Sequence, residues 1–305
     1  MLYSLRNKFK KAWFDARCRD ILSAPPIRPK AGLRILSAVG SQDIIMYLVA
    51  IKSFHRFLNH GEVILLLQND CPDEALGILN EHVRPVAVFR DRDVELGRCP
   101  RGGTWERLSL IARSVGDGYV IQLDADTLTC GDLDEVLGCI RSNTSFMIST
   151  WKDQAIEPID ASCRRAKSVQ SSHVQAMAER GFDRLANYRN LRYARGQSSF
   201  AGFAAGSISH ESLEQFSVEM ERIVGQAKWR EWGSESVASN FMVANSPAAT
   251  MLPYPRFATY HPGRANYDES ALLHFEGTNR FKNGLYIEKA RRMIGVLREP
   301  DYATA

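Results

Sequence analysis

From residue 33 to residue 123 the sequence alternates between short apolar runs and longer amphipathic runs. Leu33–Val39 and Tyr119–Leu123 are typical of buried strands, and Ile44–Leu58 has apolar residues at helical spacing. The same patterns predict strands at Glu62–Gln68 and Pro85–Phe89, and helices at Trp105–Val115 and, opened by an Asp73 cap, at Asp73–Val83. Strands that alternate with helices predict an α/β fold, with a mostly parallel sheet covered by helices on both faces.

Two carboxylates, Asp124 and Asp126, directly follow the predicted strand Tyr119–Leu123. The carboxyl ends of parallel strands are where open α/β sheets bind ligands. Side chains in an extended chain repeat every second residue, so both carboxylates point to one side. They suit a hard divalent cation, Mg²⁺ or Mn²⁺, that shares its other positions with phosphate oxygens. The alternative is a solvated loop before the next helix, because Asp is common in turns.

Length and composition leave room for an enzyme. The 305 residues, 45% of them hydrophobic, can bury the core of one large or two fused α/β units. The longest apolar runs fall well short of the ~18 residues of a membrane span, and the first residues lack the apolar stretch of a signal peptide. The six cysteines form no C-x-x-C pair, so we expect them to be reduced and mostly buried in a cytoplasmic protein. We expect no nucleic-acid partner.

Positive charge is concentrated at the start of the chain. Residues 1–30 carry a net charge of +6, which leaves −2 for all the residues that follow. Apolar side chains interleave with these cations at helical spacing: Leu2, Leu5, Phe9, Trp13 and Phe14. Residues 1–22 therefore predict an amphipathic helix that lies either on an anionic membrane surface, at the inner face of the membrane, or on the protein itself. The Pro-rich residues 24–29 predict an extended linker.

Residues 152–195 differ in character, with nine Lys or Arg against five Asp or Glu and little apolar periodicity. Helices are predicted at Ser171–Glu179 and Asp183–Tyr188. The segment is either a solvated face or, for an anionic acceptor, an acceptor wall or mobile flap.

Five short segments follow one another in a set order. They are Trp105–Leu108, Leu123–Leu128 with its Asp-Ala-Asp-Thr core, Phe203–Ile208, Glu235–Asn240, and the stretch from His274 to Lys282. In this order they resemble the motifs of glycosyltransferase family 8, the glycogenin-like and lipopolysaccharide galactosyltransferase-like enzymes, over roughly residues 33–290. The resemblance implies a GT-A fold, with a Rossmann-like sheet and a smaller acceptor-side region.

The resemblance also assigns the ligands of a metal ion and of the donor diphosphate. Asp124, Asp126 and His274 would hold Mn²⁺ or Mg²⁺, and Arg107 would reach the diphosphate. A glycine and a cation in the last segment would also bind the donor. The family's lysine corresponds to Arg280 by spacing and to Lys282 by residue type. These candidates are Gly277, Arg280 and Lys282.

Four further residues are candidates through the same resemblance. Glu235 would position the acceptor or stabilise developing positive charge at the anomeric carbon, and Asn240 keeps the family spacing from it. Gly206 and Ala38 would lie against the donor. The chain has Ala204 where the family has an amide, and its first strand lacks the family's base-binding pair.

The function predicted in this way is transfer of a hexose, with retention, from a nucleotide sugar such as a UDP-hexose to a glycan or lipid-linked acceptor. The predicted organisation is a basic segment 1–30, a nucleotide-sugar half 31–150, an insertion 151–198, an acceptor half 199–295 and a tail 296–305.

Three alternatives stay open. A haloacid-dehalogenase-type phosphatase needs a threonine where the chain has Leu128. A sugar-1-phosphate nucleotidyltransferase needs a Gly-rich phosphate loop near the start, which the sequence lacks. A non-catalytic binding protein on a decayed GT-A scaffold would fit Ala204 and the altered first strand.

Overall fold

The computed structural model describes the backbone of residues 2–69 and 71–299, and the side chains of residues 9–69, 71–116 and 118–299. Eleven helices lie in these ranges: α1 Leu2–Cys18, α2 Ile44–Leu58, α3 Asp73–His82, α4 Trp105–Ser114, α5 Asp134–Arg141, α6 Ile159–Lys167, α7 Val174–Arg180, α8 His210–Val224, α9 Gln226–Trp229, α10 Ser234–Ala244 and α11 Leu285–Leu297. The strands in the same ranges are β1 Leu33–Val39, β2 Glu62–Leu67, β3 Ala87–Arg90, β4 Tyr119–Leu123, β5 Thr127–Thr129, β6 Ser145–Ile148, β7 Glu157–Pro158, β8 Arg192–Tyr193, β9 Gln197–Phe203, β10 Ala249–Leu252, β11 Phe257–Thr259 and β12 Leu272–His274.

The main sheet has seven strands in the order β10-β6-β9-β4-β1-β2-β3. β1 and β2 pair in parallel, as do β10 and β6, while β6 and β9 pair antiparallel with a bulge between Met147 and Ile148. A three-stranded sheet has the order β11-β12-β5, and β7 pairs with β8. The predicted mixed α/β fold with a mostly parallel sheet is confirmed.

Several predicted boundaries agree with the structure, and β1, α2 and β4 agree to the residue. The strand predicted at Pro85–Phe89 lies at Ala87–Arg90. The Asp73 cap was wrong: Asp73 is the first helical residue of α3, and Pro72 occupies the cap position without a side-chain hydrogen bond. As a first-turn acid, Asp73 favours the helix through its dipole.

The helix predicted at Asp183–Tyr188 was wrong. Two 3₁₀ turns, Phe182–Arg184 and Tyr188–Asn190, take its place, because Asn187 adopts a left-handed backbone with φ 55° that ends helical geometry. The helix predicted at Ser171–Glu179 begins only at Val174, where the His173 side chain accepts a hydrogen bond from the Gln175 N–H.

The chain forms two compact units. The first contains residues 1–88, 123–133 and 255–305, and the second contains residues 89–122 and 134–254.

In the first unit, a short antiparallel pair joins β5 to β12. The register sets Leu128 opposite Leu273 and Thr127 opposite His274. The Ser53 hydroxyl of α2 accepts a hydrogen bond from the Thr129 N–H, which ties this pair to a buried helix. This arrangement places His274 beside the loop that follows β4.

The start of the first unit is packed against the rest of it. Phe14 of α1 is fully buried, and its ring centroid lies 4.5 Å from that of Tyr286 in α11. The opposite face of α1 exposes Phe9 and Trp13. The helix predicted for residues 1–22 is therefore present as α1, although the side chains of Leu2 and Leu5 lie outside the described residues.

The Pro-rich segment predicted as an extended linker is extended, and two of its residues are buried. Ala24 and Ile27 have almost no exposed surface, and the Ile27 N–H donates to the carbonyl of His82. The buried Lys52 ammonium donates to the carbonyls of Ile21 and Ala24, at 3.2 and 2.7 Å. The sequence did not reveal this packing because the ammonium that donates to these carbonyls lies 28 or 31 residues downstream.

In the second unit, aromatic side chains pack between the helices. The ring of Trp105 in α4 lies edge-on to that of Trp229, with centroids 5.7 Å apart. Phe216 of α8 stacks on Phe241 of α10 at 3.9 Å. The basic segment contains α6 and α7, and several of its cations pair with its own acids: Asp160 with Arg164, Glu157 with Arg165, Lys167 with Asp183, and Glu179 with Arg195.

The six cysteines are reduced thiols and four of them are buried, as the sequence predicted. Within residues 2–69 and 71–299, the helices are all too short or too polar to cross a bilayer. The tail predicted for residues 296–305 starts inside α11, and from residue 300 it lies outside the described residues.

The buried Lys52 predicts a pH-dependent stability. Burial lowers the pKa of Lys52 from 10.5 to about 8. The unfolded chain therefore holds this proton up to a higher pH than the folded chain does. Between pH 8 and 10.5, the stability of the native protein relative to Lys52→Met should rise by up to about 3 kcal/mol. Urea unfolding of both proteins across this range measures the difference.

The exposed Lys30 supplies the control, and Lys30→Met should show no comparable pH-dependent difference from the native protein. A difference in the free energy of unfolding between the native protein and Lys52→Met that stays constant from pH 7.5 to 10 would contradict the burial of a charged lysine.

Candidate active site

Three potential metal ligands converge in the first unit at the carboxyl end of β4. One ligand atom from each of Asp124, Asp126 and His274 lies within 4.8 Å of the other two. The His274 Nε2 is 3.2 Å from Asp126 Oδ1 and 4.0 Å from Asp124 Oδ2. The Thr127 N–H and hydroxyl both donate to the Asp124 carbonyl, which fixes the tight turn between the two carboxylates.

Neighbouring side chains orient each ligand. The Arg280 guanidinium donates to Asp126 Oδ2 at 2.5 Å and to the Phe275 carbonyl at 2.9 Å. The Thr259 hydroxyl lies 3.2 Å from His274 Nδ1. The other ring nitrogen of His274, Nε2, therefore faces the carboxylates. A fixed ring orientation of this kind is typical of metal-binding histidines.

The charges in this cluster offset one another. Burial would raise the pKa of Asp126, but the charges and hydrogen bonds of His274 and Arg280 outweigh it and hold this pKa at about 2. Burial would lower the pKa of His274, but the nearby carboxylates of Asp126, Asp124 and Glu276 raise it. Asp126 is therefore an ionised carboxylate in spite of its burial.

These residues fit a divalent cation. Two carboxylate oxygens and one imidazole nitrogen face one another, and Arg280 leaves Oδ1 of Asp126 for the ion. The Asp124 side chain is 24% exposed, against 11% for Asp126 and 6% for His274, so one side of the cluster is open to a ligand. A mixed oxygen and nitrogen donor set suits Mn²⁺, and carboxylates alone suit Mg²⁺.

Of the two cations nominated in the last segment, Arg280 contacts the metal cluster directly. Lys282 is exposed in a 3₁₀ turn, where its carbonyl accepts a hydrogen bond from the Tyr260 hydroxyl. Gly277 is exposed and has φ 49°, a left-handed backbone that favours glycine as the chain leaves β12. Ala38 lies on β1, half-buried, opposite Leu66 of β2.

Three polar or small residues near the ends of β1 and β2 were not nominated from the sequence. A Cβ on Gly40 would lie 2.8 Å from Asp43 Oδ2 and 2.9 Å from Gln68 Oε1. The two oxygens therefore approach the backbone closely only because residue 40 is glycine. Asp43 also interacts electrostatically with Arg280 and Asp126, which places this group next to the metal cluster. No local motif marks it, because Gly40 and Gln68 belong to different strand ends.

The second unit contains a buried ion pair between two of the nominated residues. The Arg107 guanidinium of α4 lies 3.5 Å from Glu235 Oε1 at the start of α10, and the two residues are 3% and 2% exposed. The hydroxyls of Thr104 and Ser198 donate to the other oxygen, Oε2, at 3.0 and 3.2 Å. Arg107 and Glu235 were nominated for separate roles, and the structure brings them together.

The remaining nominated residues of this unit lie on either side of β9. The buried Asn240 amide donates to the carbonyl of Gly196, just before the strand begins. Gly206 follows the strand, with φ 70° and its N–H bonded to the Val115 carbonyl. The segment Phe203–Ile208 begins at the last residue of β9.

No protein-family model matches the sequence, and no curated protein matches it. The fold does match solved structures. The bifunctional glycosyltransferase WbbM matches 90% of this chain with a TM-score of 0.51 and 14% identity. The glycosyltransferase GlyE of Streptococcus pneumoniae TIGR4 matches 90% with a TM-score of 0.52 and 13% identity, and its apo form gives 0.51 and 12%.

The chain spans 51% of the WbbM chain and 64% of the GlyE chain. This similarity confirms the GT-A glycosyltransferase fold and is consistent with the resemblance to family 8. Identities this low show the fold alone. Any activity must therefore be inferred from the residues of the site.

The hydrogen bond between the Thr259 hydroxyl and His274 Nδ1 predicts an effect on metal affinity. Thr259→Val keeps the shape of the side chain but removes the hydroxyl that orients the imidazole, so Mn²⁺ affinity should fall by roughly 10- to 100-fold. Titration calorimetry with Mn²⁺ alone measures it. The matched control is Thr278→Val, on an exposed threonine outside the cluster. Equal Mn²⁺ affinity in Thr259→Val and the native protein would contradict an orienting role.

Proposed function

We propose that this chain is a metal-dependent glycosyltransferase that moves a hexose from a nucleotide sugar to a glycan or lipid-linked acceptor. The observation that carries the proposal is the convergence of Asp124, Asp126 and His274 at the end of β4 in a GT-A fold. A divalent ion held there, Mn²⁺ or Mg²⁺, would neutralise negative charge on the donor diphosphate. Asp126 Oδ1, which faces His274 Nε2, and the partly exposed carboxylate of Asp124 support this role.

Arg280 would add a second positive charge to the diphosphate site. Its guanidinium is fixed by Asp126 and by the Phe275 carbonyl, so it costs little further ordering when the donor binds. Lys282 is exposed, so solvent and salt screen its charge. We therefore assign it a weaker contribution to diphosphate binding than that of Arg280.

We place the nucleoside of the donor against the ends of β1 and β2, near Ala38 and Gly40. Two acceptor oxygens, from Asp43 and Gln68, approach Gly40 and would receive hydrogen bonds from ribose hydroxyls or a base N–H. A uracil base fits this chemistry, since its imide N–H is a donor. The assignment of UDP as the carrier comes from the resemblance to family 8.

The buried pair of Arg107 and Glu235 would act on the reacting sugar, with Asn240 keeping β9 in place. Glu235 would position the acceptor or stabilise positive charge at the anomeric carbon. Retention follows the resemblance: the acceptor attacks the face from which the phosphate departs, and that phosphate takes the acceptor proton. Arg107 would act through Glu235, whose carboxylate its guanidinium faces at 3.5 Å.

The proposal predicts the effect of removing one carboxylate. Asp124→Asn should lower turnover of a nucleotide sugar by at least about a hundredfold, because a ligand and a charge are lost together. A panel of nucleotide sugars with Mn²⁺ or Mg²⁺, read as release of nucleoside diphosphate, identifies the donor and measures the loss. Asp132→Asn, at an exposed acid of the same unit, should turn over normally.

Other outcomes of the panel separate the alternatives. Normal turnover and Mn²⁺ affinity in Asp124→Asn would remove the metal site. Phosphate released from simple monoesters would favour a phosphatase, and pyrophosphate formed from a nucleoside triphosphate would favour a nucleotidyltransferase. Metal and nucleotide binding without hydrolysis of any nucleotide sugar would favour a non-catalytic binding protein.

We further propose that the exposed face of α1 rests on an anionic membrane surface, on the cytoplasmic side, where a lipid-linked acceptor would be met. Phe9 and Trp13 are 71% and 51% exposed, and the Arg17 guanidinium lies 5.6 Å from the Trp13 ring. The buried face of α1 anchors the helix to the first unit through Phe14. Exposed aromatics beside cations on a packed helix support an interfacial role.

This surface predicts salt-sensitive lipid binding. The chain should co-sediment with phosphatidylglycerol vesicles, less with phosphatidylcholine vesicles, and less again at high salt. Phe9→Ser combined with Trp13→Ser should lower binding on the order of tenfold. Trp232→Ser, on a still more exposed tryptophan of the second unit, is the control. Binding unaffected by the double variant or by salt would remove the membrane contact.

A further inference from the structure

Thr104 has a backbone conformation that its side chain disfavours. Its φ and ψ are 74° and 11°, directly before α4, and it follows two glycines that are also left-handed, Gly102 with φ 86° and Gly103 with φ 58°. Glycine adopts this region freely, whereas a β-branched residue in it is an outlier. Such conformations persist where the surroundings hold them, and they are concentrated at functional sites.

The Thr104 hydroxyl reaches the buried carboxylate of the second unit. Its Oγ1 lies 3.0 Å from Glu235 Oε2 and 2.5 Å from the Gly103 carbonyl. A hydroxyl has a single proton to donate, and an ionised carboxylate is the stronger acceptor. The carboxylate of Glu235 is therefore the favoured acceptor on chemical grounds, although the Gly103 carbonyl is the nearer oxygen.

Glu235 is held by side chains from three separate segments. Thr104 and Ser198 donate to Oε2 from the loop before α4 and from β9, and Arg107 faces Oε1 from α4. A glutamate has three rotatable side-chain bonds, so two donors on one oxygen restrict the plane of its carboxylate. The left-handed backbone of Thr104 is what brings its hydroxyl to this oxygen.

We propose that Thr104 is a positioning residue whose strained backbone is retained because its hydroxyl orients the Glu235 carboxylate for the reaction. This inference rests on the function proposed above and adds a residue that no motif nominated. The left-handed conformation of Thr104 then lowers the stability of the fold and raises the rate of turnover. A threonine that only began a helix would not have this pair of effects. A glycine at position 104 would present the same backbone carbonyl to the first N–H groups of α4, so the start of the helix does not require threonine.

Three substitutions at residue 104 separate the hydroxyl from the strain. Thr104→Val keeps the β-branched shape and the strain but loses the donor, Thr104→Ser keeps the donor, and Thr104→Gly loses the donor and relieves the strain. We expect kcat to fall roughly 10- to 100-fold in the valine and glycine variants, with KM for the nucleotide sugar within about twofold. Thr104→Ser should restore kcat to within about threefold of the native value.

The melting temperatures should distinguish the two variants that lose the hydroxyl. Thr104→Gly should melt about 2 °C or more above Thr104→Val, because the glycine adopts the left-handed backbone without strain. Asn187→Gly, at an exposed left-handed residue of the same unit, is the control and should leave kcat unchanged. Native kcat in Thr104→Val, or a kcat loss in Thr104→Ser as large as that in Thr104→Val, would overturn the inference.

A stability measurement keeps the test independent of turnover. In a double-mutant cycle of Thr104→Val with Glu235→Gln, the changes in urea midpoint should be non-additive, since both variants alter the same hydrogen bond. If the nucleotide-sugar panel shows no turnover, the proposed glycosyl transfer fails while this cycle still tests the contact. Additive changes would show that Thr104 does not hold Glu235, whatever the reaction.

Discussion

The carboxylate of Asp126 is the group on which the geometry of the first unit's site depends. One oxygen faces His274, the other accepts from Arg280, and the backbone carbonyl accepts from the Phe275 N–H. A buried anion without such partners would be costly, so each of them must be in place for the chain to bury it. The pairing of β5 with β12 supplies two of the three partners at once, because it sets His274 opposite Thr127 and brings Phe275 to the turn.

The parts of the fold that the sequence predicted are those encoded by local patterns. β1, α2 and β4 have continuous apolar or helical periodicity, and their boundaries were predicted to the residue. The three-residue strands β5, β11 and β12 are too short to show a period, although they hold His274 in place. The Ala24 carbonyl is bound by the buried Lys52, and a Pro-rich composition alone could not show a partner so far along the chain.

The same contrast applies to the candidate sites. Asp124 and Asp126 are neighbours in one strand end, so elementary strand geometry brought them together from the sequence. Arg107 of α4 and Thr104, directly before α4, both contact Glu235 of α10, which lies more than a hundred residues further along the chain. Propensities carry no information about such pairs. Thr104 was also hidden because its side chain favours extended backbone, whereas the structure requires a left-handed one there.

Each unit contains one polar cluster that its own elements hold in place, and the two clusters differ in chemical character. The first is anionic and partly open, with two carboxylates and an imidazole that suit a cation. The second is a nearly inaccessible ion pair whose charges compensate each other, and removing one partner would leave the other buried without its counter-charge, a change that typically costs several kcal/mol. A cation site alone is compatible with a phosphatase or a nucleotidyltransferase as well as a transferase. A buried, hydroxyl-oriented carboxylate is what a site needs in order to fix the position of a sugar or its acceptor. Glycosyl transfer, as proposed, would give each unit's cluster a separate role, and the fold by itself assigns no chemistry.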